Sequence, residues 1–140
     1  MTAYLDTSAL IRAWRLKVAP KGYVTRSHSL AEFYSTLTGG LTARIAGVET
    51  RIKFTPRDAA QGARETFSGM DFKDLMPGQT LAQLDIAAKK NIQSANIHDL
   101  MHAAVATQSG CSEIVTTNEK HFKLVTKLKL TDPADFLAKH

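Results

Sequence analysis

Cysteine is almost missing from this chain, with Cys111 the single one. One thiol excludes an internal disulfide and a zinc site built on thiolates, and it suits a reducing cytosol. Cys111 follows a helix-ending glycine and reads as an inert buried residue. No run approaches the roughly 18 apolar residues of a membrane helix, so no membrane contact is expected. Met1-Thr2-Ala3 offers neither a basic n-region nor an apolar h-region. No signal peptide is expected, and the expected location is the cytoplasm. A glycine-rich phosphate loop is also missing, which leaves a nucleotide cofactor without support. There is no internal repeat, low-complexity tract or long linker. The 140 residues read as one domain, residues 1–140.

Positive charge, by contrast, is in excess. Lys and Arg number 18 against 13 Asp and Glu, a net +5, and the 44% hydrophobic content is enough for a substantial core. A small basic domain fits a nucleic-acid partner. Arg12, Lys17, Lys21, Arg26, Arg44, Arg51 and Lys53 are candidate phosphate contacts.

The organising stretch is Tyr4-Leu5-Asp6-Thr7-Ser8-Ala9-Leu10. It reads as the end of a short buried strand running straight into a helix. Asp6, Thr7 and Ser8 can each accept from the orphan N–H groups of a first helical turn. Tyr23-Val24-Thr25 reads as a strand, and Ser27 or Ser29 as the cap of a helix ended by Gly39-Gly40. The spacing predicts a short helix or loop arm over Leu41 to Val48. Thr55-Pro56 is a cap followed by proline at the first helical position, and that helix runs to about Phe67. Phe72 to Met76 reads as a brief strand, Pro77-Gly78 as a turn, and Gln79 or Thr80 as a helix start. Ile97 to Gln108 reads as a helix, Glu113 to Thr117 as a buried strand, and Lys127 to Leu130 as an edge strand. Strands alternating with helices imply an α/β fold: a three-layer α/β/α sandwich whose sheet has four or five mostly parallel strands. The first strand belongs at its centre.

Three carboxylates stand where strands end or helices begin: Asp6, Glu32 and Asp99, with Asn118 closing the late strand. All four can converge on one edge of a right-handed βαβ sheet. Clustered carboxylates repel and need a cation, and oxygen ligands suit Mg²⁺ or Mn²⁺. Such an ion keeps waters, which a phosphodiester hydrolysis can use as the nucleophile. Against this, acids in a first helical turn are favoured by the helix dipole alone, and Asp6 works equally as a cap.

Four blocks carry a family resemblance: Tyr4 to Leu10, Leu30-Ala31-Glu32, Ile97 to Ala104, and Val115 to Phe122. Their order and spacing resemble the signature of PIN domains, and the small size resembles the VapC-type toxins of toxin–antitoxin pairs. The resemblance implies a PIN-like fold and a Mg²⁺- or Mn²⁺-dependent ribonuclease, usually a homodimer held inactive by an antitoxin. Transfer RNA stands ahead of ribosomal and messenger RNA as its substrate. The family's acidic positions fall on Asp6, Glu32 and Asp99, with Asp6 and Asp99 as metal ligands and Ser8 in a supporting part. The fourth position is commonly Asp and here is Asn118, which offers a carbonyl oxygen but no charge. Two other readings stay open: a PIN-like module that binds RNA or protein without cutting, and a zinc hydrolase using His98 and His102, whose spacing imitates H-E-x-x-H.

Overall fold

The computed structural model of this protein describes residues 2–139. The elements follow in chain order as β1 (Ala3–Leu5), α1 (Thr7–Arg15), β2 (Lys21–Thr25), α2 (His28–Gly39), β3 (Leu41–Ile45), β4 (Val48–Ile52) and α3 (Pro56–Phe67). Then come β5 (Gly69–Phe72), α4 (Pro77–Lys89), α5 (Asn96–Gln108), β6 (Glu113–Val115), α6 (Glu119–Phe122), β7 (Lys129–Thr131) and α7 (Pro133–Lys139). Five strands make one sheet in the order β5-β2-β1-β6-β7, every pair parallel. The expected α/β class and the central place of β1 are both observed.

Alternation along β1 divides the core. Ala3 and Leu5 face one side, where Leu10 of α1, Phe33 and Leu37 of α2, Phe67 of α3 and Phe136 of α7 pack. Tyr4 faces the other with Val24 and Ile114, against Ala103, Val105 and Ala106 of α5 and Phe122 of α6. A strand covered on both faces reads as continuous apolar sequence, as β1 does. Phe33 and Phe67 are buried in this core, whereas Tyr34 of α2 stays 39% exposed. Trp14 packs edge-on between Phe33 and Phe54. Among the described residues, no helix is long and apolar enough to cross a membrane.

Three expected elements differ. The arm over Leu41 to Val48 is the first part of an antiparallel hairpin, β3 with β4, standing apart from the main sheet. Its two-residue turn, Ala46-Gly47, has positive φ at both positions, the geometry that matches strand twist in tight hairpins. Arg51 of β4 donates to the carbonyl of Gly39 at 2.9 and 3.2 Å, which ties the hairpin to the end of α2. The strand expected at Phe72 to Met76 lies earlier, as β5. Pro77-Gly78 forms the first turn of α4 rather than a separate turn: Pro occupies a position whose N–H has no helical partner.

Gly62 marks the tightest helix approach. A Cβ there would stand 2.9 Å from Trp14 Nε1 and 3.5 Å from Phe33 Cε1. Alanine is worth about 1 kcal/mol over glycine inside a helix, but overpacking costs about 1–3 kcal/mol. Gly62→Ala is therefore expected to lower stability by about 1 kcal/mol in urea unfolding; an increase would mean that Trp14 yields freely.

Candidate active site

Asp6 ends β1 and caps α1, only 3% exposed. Its Oδ1 accepts from the Ala9 N–H at 3.0 Å and the Ser8 hydroxyl at 2.6 Å. Its Oδ2 accepts from the Thr116 hydroxyl at 2.6 Å. Burial pushes the carboxyl above its ordinary value, while His102 and these hydrogen bonds pull the other way. The loop after β6 is tied to the same group. Thr117 N–H donates to Ser8 Oγ at 3.0 Å, and Asn118 N–H donates to Thr116 Oγ1 at 2.9 Å. Asn118 sits at the N-cap of α6, exposed, and its side chain makes no capping bond.

Glu32 lies one turn into α2, half-buried. Its Oε1 accepts from the Thr7 hydroxyl at 3.1 Å and lies 3.1 Å from His102 Nε2. His102 is buried, and its Nδ1 is 2.5 Å from the Tyr4 hydroxyl. Burial holds the Tyr4 phenol protonated, well above its usual range, and the Tyr4 hydroxyl and the Glu32 carboxylate engage the two ring nitrogens of His102 from opposite sides. For Glu32, burial raises the pKa, but the hydrogen bond and charge of His102 and the Thr7 bond outweigh it, and the net shift is downward. Asp99 stands in the first turn of α5, also half-buried. Burial raises its carboxyl, His102 opposes, and repulsion from Asp6 and Glu32 raises it further. His121 Nδ1 lies 3.7 Å from Asp99 Oδ2.

The fold thus brings Asp6, Glu32 and Asp99 to the carboxyl edge of the parallel sheet, where open α/β sheets bind ligands. Ser8 supports Asp6 directly. Thr7 serves Glu32 rather than Asp6. Thr116 and His102 are the residues that sequence reasoning missed as positioning groups. Thr116 directly follows β6, a polar residue at a strand end being the one signal that marked it. His98 and His102 do not form a shared zinc site, because both His102 nitrogens are engaged and His98 stacks instead on His28, centroids 5.3 Å apart. Among the described residues, no Lys or Arg forms a salt bridge with any of the three acids; only His102 and His121 do so with Glu32 and Asp99. In a chain of net charge +5 that leaves the acids largely uncompensated. A cavity of about 590 Å³ between Trp14, Phe54 and Glu65 is lined by none of them.

Comparison with known proteins settles the lineage. The family model for the PIN domain matches residues 3–128. The chain belongs to the PIN domain family. This PIN domain is similar in fold to VapBC-1 from nontypeable Haemophilus influenzae, solved at 2.2 Å, with TM-score 0.62 and 16% identity, covering 96% of this chain and 99% of that one. It is also similar to PAE2754 from Pyrobaculum aerophilum, with TM-score 0.64 and 17% identity, covering 99% of this chain and 96% of that one. No curated protein matches it. Residues 3–128 span all four blocks read from the sequence, so the family match covers Asp6, Glu32, Asp99 and Asn118 together.

Proposed function

We propose that this PIN domain is a Mg²⁺- or Mn²⁺-dependent endoribonuclease and the toxin of a toxin–antitoxin pair. One observation carries the reading: three coupled carboxylates at the sheet edge have no Lys or Arg salt-bridge partner among the described residues. A compensating cation is therefore supplied from outside. The donor set fits a hard divalent ion: it is all oxygen, and Asp6 and Asp99 are both costly to ionise without one. Asp6 and Asp99 would hold the ion directly, with Glu32 and Asn118 reaching it directly or through water. The ion's chemistry is to make water a better nucleophile and to neutralise charge developing on the phosphodiester. The chain's own residues supply the rest. Ser8, Thr116 and the Ala9 N–H fix the rotamer of Asp6. His102, braced by Tyr4, fixes Glu32. Asn118 presents an oxygen without adding repulsion.

Purified protein is expected to cleave structured RNA with Mg²⁺ or Mn²⁺ and to fall silent in excess EDTA. Full cleavage in EDTA would remove the metal from the reading. RNA bound but uncut in Mn²⁺ would establish the non-cutting module, which the Asn118 departure favours.

The partners follow from charge and exposed surface. An anionic cleft in a basic chain attracts an Arg side chain, the natural plug for an antitoxin to insert. Expressed alone, the chain is expected to slow growth, and co-expression of the cognate antitoxin to restore it. Equal growth with wild type and an Asp6→Ala variant would remove the toxin reading. A homodimer belongs to the same proposal. Met76, Leu81 and Leu84 lie 69%, 62% and 43% exposed on and beside α4, apolar surface that a second copy would cover. Transfer RNA remains the proposed substrate class, and the cytoplasm the proposed location.

A further inference from the structure

The first turn of α2 and the first turn of α5 meet at the rim of the acidic edge. His28 opens α2, Glu32 follows one turn later on the same face, and His98 lies beside Asp99 on α5. One ligand atom from each of His28, Glu32 and His98 lies within 4.8 Å of the other two. Among the described residues no other set of His, Cys, Asp or Glu closes this far, the catalytic acids included. The two imidazoles are stacked, 17° from parallel, and both residues are exposed, so their rings can turn toward a common point. Glu32 has spent Oε1 on Thr7 and His102, and no hydrogen bond to Oε2 is seen among the described residues.

We propose that His28, Glu32 and His98 form a site for a borderline divalent cation, Zn²⁺ in the first place, that inhibits the nuclease. Two imidazoles and a carboxylate match the donor preference of Zn²⁺ and leave a fourth position for water. Mg²⁺ is a poor competitor here, because imidazole nitrogen is too soft for it. A Zn–ligand bond is about 2.0–2.2 Å, so the three donors must close by roughly an ångström. That movement draws Glu32 away from His102 and out of the arrangement that serves cleavage. Binding depends only on the geometry above; the inhibition rests on the role of Glu32 proposed in the preceding subsection.

The test uses tag-free full-length protein with Zn²⁺ as the probe, titrated calorimetrically in excess Mg²⁺. Wild type is expected to take up one equivalent. His28→Ala and His98→Ala each remove a ligand and are expected to weaken binding by at least roughly 10–100-fold, the cost of losing even an outer-shell partner. The doubly substituted Asp6→Asn/Asp99→Asn protein is expected to keep its equivalent. Co²⁺ in place of Zn²⁺ is expected to give the intense visible absorption of a tetrahedral site in wild type and to lose it in His28→Ala. Undiminished Zn²⁺ binding by His28→Ala and His98→Ala would overturn the site. Binding lost on replacing Asp6 and Asp99 would place the ion in the catalytic cluster and overturn it equally. Zn²⁺ is further expected to inhibit RNA cleavage by wild type and to spare His28→Ala; equal inhibition of both would overturn the inhibitory role and leave the binding result standing.

Discussion

Asp6→Asn is expected to abolish RNA cleavage and at the same time to stabilise the metal-free protein. The two effects share one cause. Asp6 is buried, and its raised pKa means that ionisation at neutral pH costs folding free energy. Asparagine removes the charge and keeps the geometry. Its oxygen accepts from the Ala9 N–H and the Ser8 hydroxyl, and Asn is as good an N-cap as Asp. Its amide donates to Thr116 Oγ1, whose hydrogen can turn toward Ser8 Oγ, 3.4 Å away. We expect a gain of about 1 kcal/mol in metal-free buffer, or roughly 2–5 °C in melting temperature. Cleavage falls by at least about 100-fold, as when one pre-aligned electrostatic group is lost from a site. The sign of the pH dependence follows. A carboxyl whose folded pKa lies above 3.8 is penalised once ionised, so the gap between variant and wild type is largest at neutral pH. It closes as the pH falls through the raised value toward 3.8. Saturating Mn²⁺ is expected to close it from the other direction, because the ion binds the native wild type. A variant less stable than wild type at pH 7 without metal would make Asp6 a structural cap and nothing more.

That prediction needed the structure, and the reason shows what was legible in the sequence. The segment from Tyr4 to Leu10 declared itself because all its information is local: an apolar strand, a capping carboxylate and a helical apolar face follow one another directly. Thr55-Pro56 was legible for the same reason, and Thr55 does accept from the Asp58 N–H at 3.1 Å. The family blocks located the acids. What they could not supply was who holds each acid in place. Thr116 lies 110 residues from Asp6 and His102 lies 98 from Tyr4, so those bonds exist only after the sheet has formed. In the sequence His102 pairs with His98, since a spacing of four suggests a shared ligand. The partner of His102 is instead Glu32, from another helix. The hairpin is hidden in the sequence for a different reason. Its turn is Ala46-Gly47 rather than the Asn-Gly that announces a tight hairpin, and its strands pair with each other without joining the main sheet. The proposed Zn²⁺ site shares this character: His28 and Glu32 are four apart, but His98 joins them only through the meeting of α2 and α5.

Asp99→Asn and Asn118→Asp are expected to move activity in opposite directions. Asp99 is half-buried and is raised by Asp6 and Glu32, so it already belongs to the repelling cluster. Replacing its charge removes a proposed direct ligand while sparing the fold, because α5 is anchored by Leu100, Ala103, Val105 and Ala106 instead. We expect loss of nearly all cleavage, at least about 100-fold, with an unchanged circular dichroism spectrum. Asn118 differs in kind. It is exposed, its backbone N–H is bound to Thr116, and its side chain makes no capping bond, so an acid there changes the charge and little else. Exposure keeps the cost of the added charge small, and an acid at a helix N-cap is favoured besides. The added carboxylate deepens the anionic well. Asn118→Asp is therefore expected to retain cleavage and to need less Mg²⁺ or Mn²⁺ for half-maximal rate, by roughly tenfold if the gain is about 1.4 kcal/mol. A metal titration of RNA cleavage on wild type and both variants reads the two shifts together. A fully active Asp99→Asn would expel Asp99 from the site. A folded but inactive Asn118→Asp would mean that the Asn118 amide donates a hydrogen bond the reaction needs, and the fourth position would then act through its N–H rather than its oxygen.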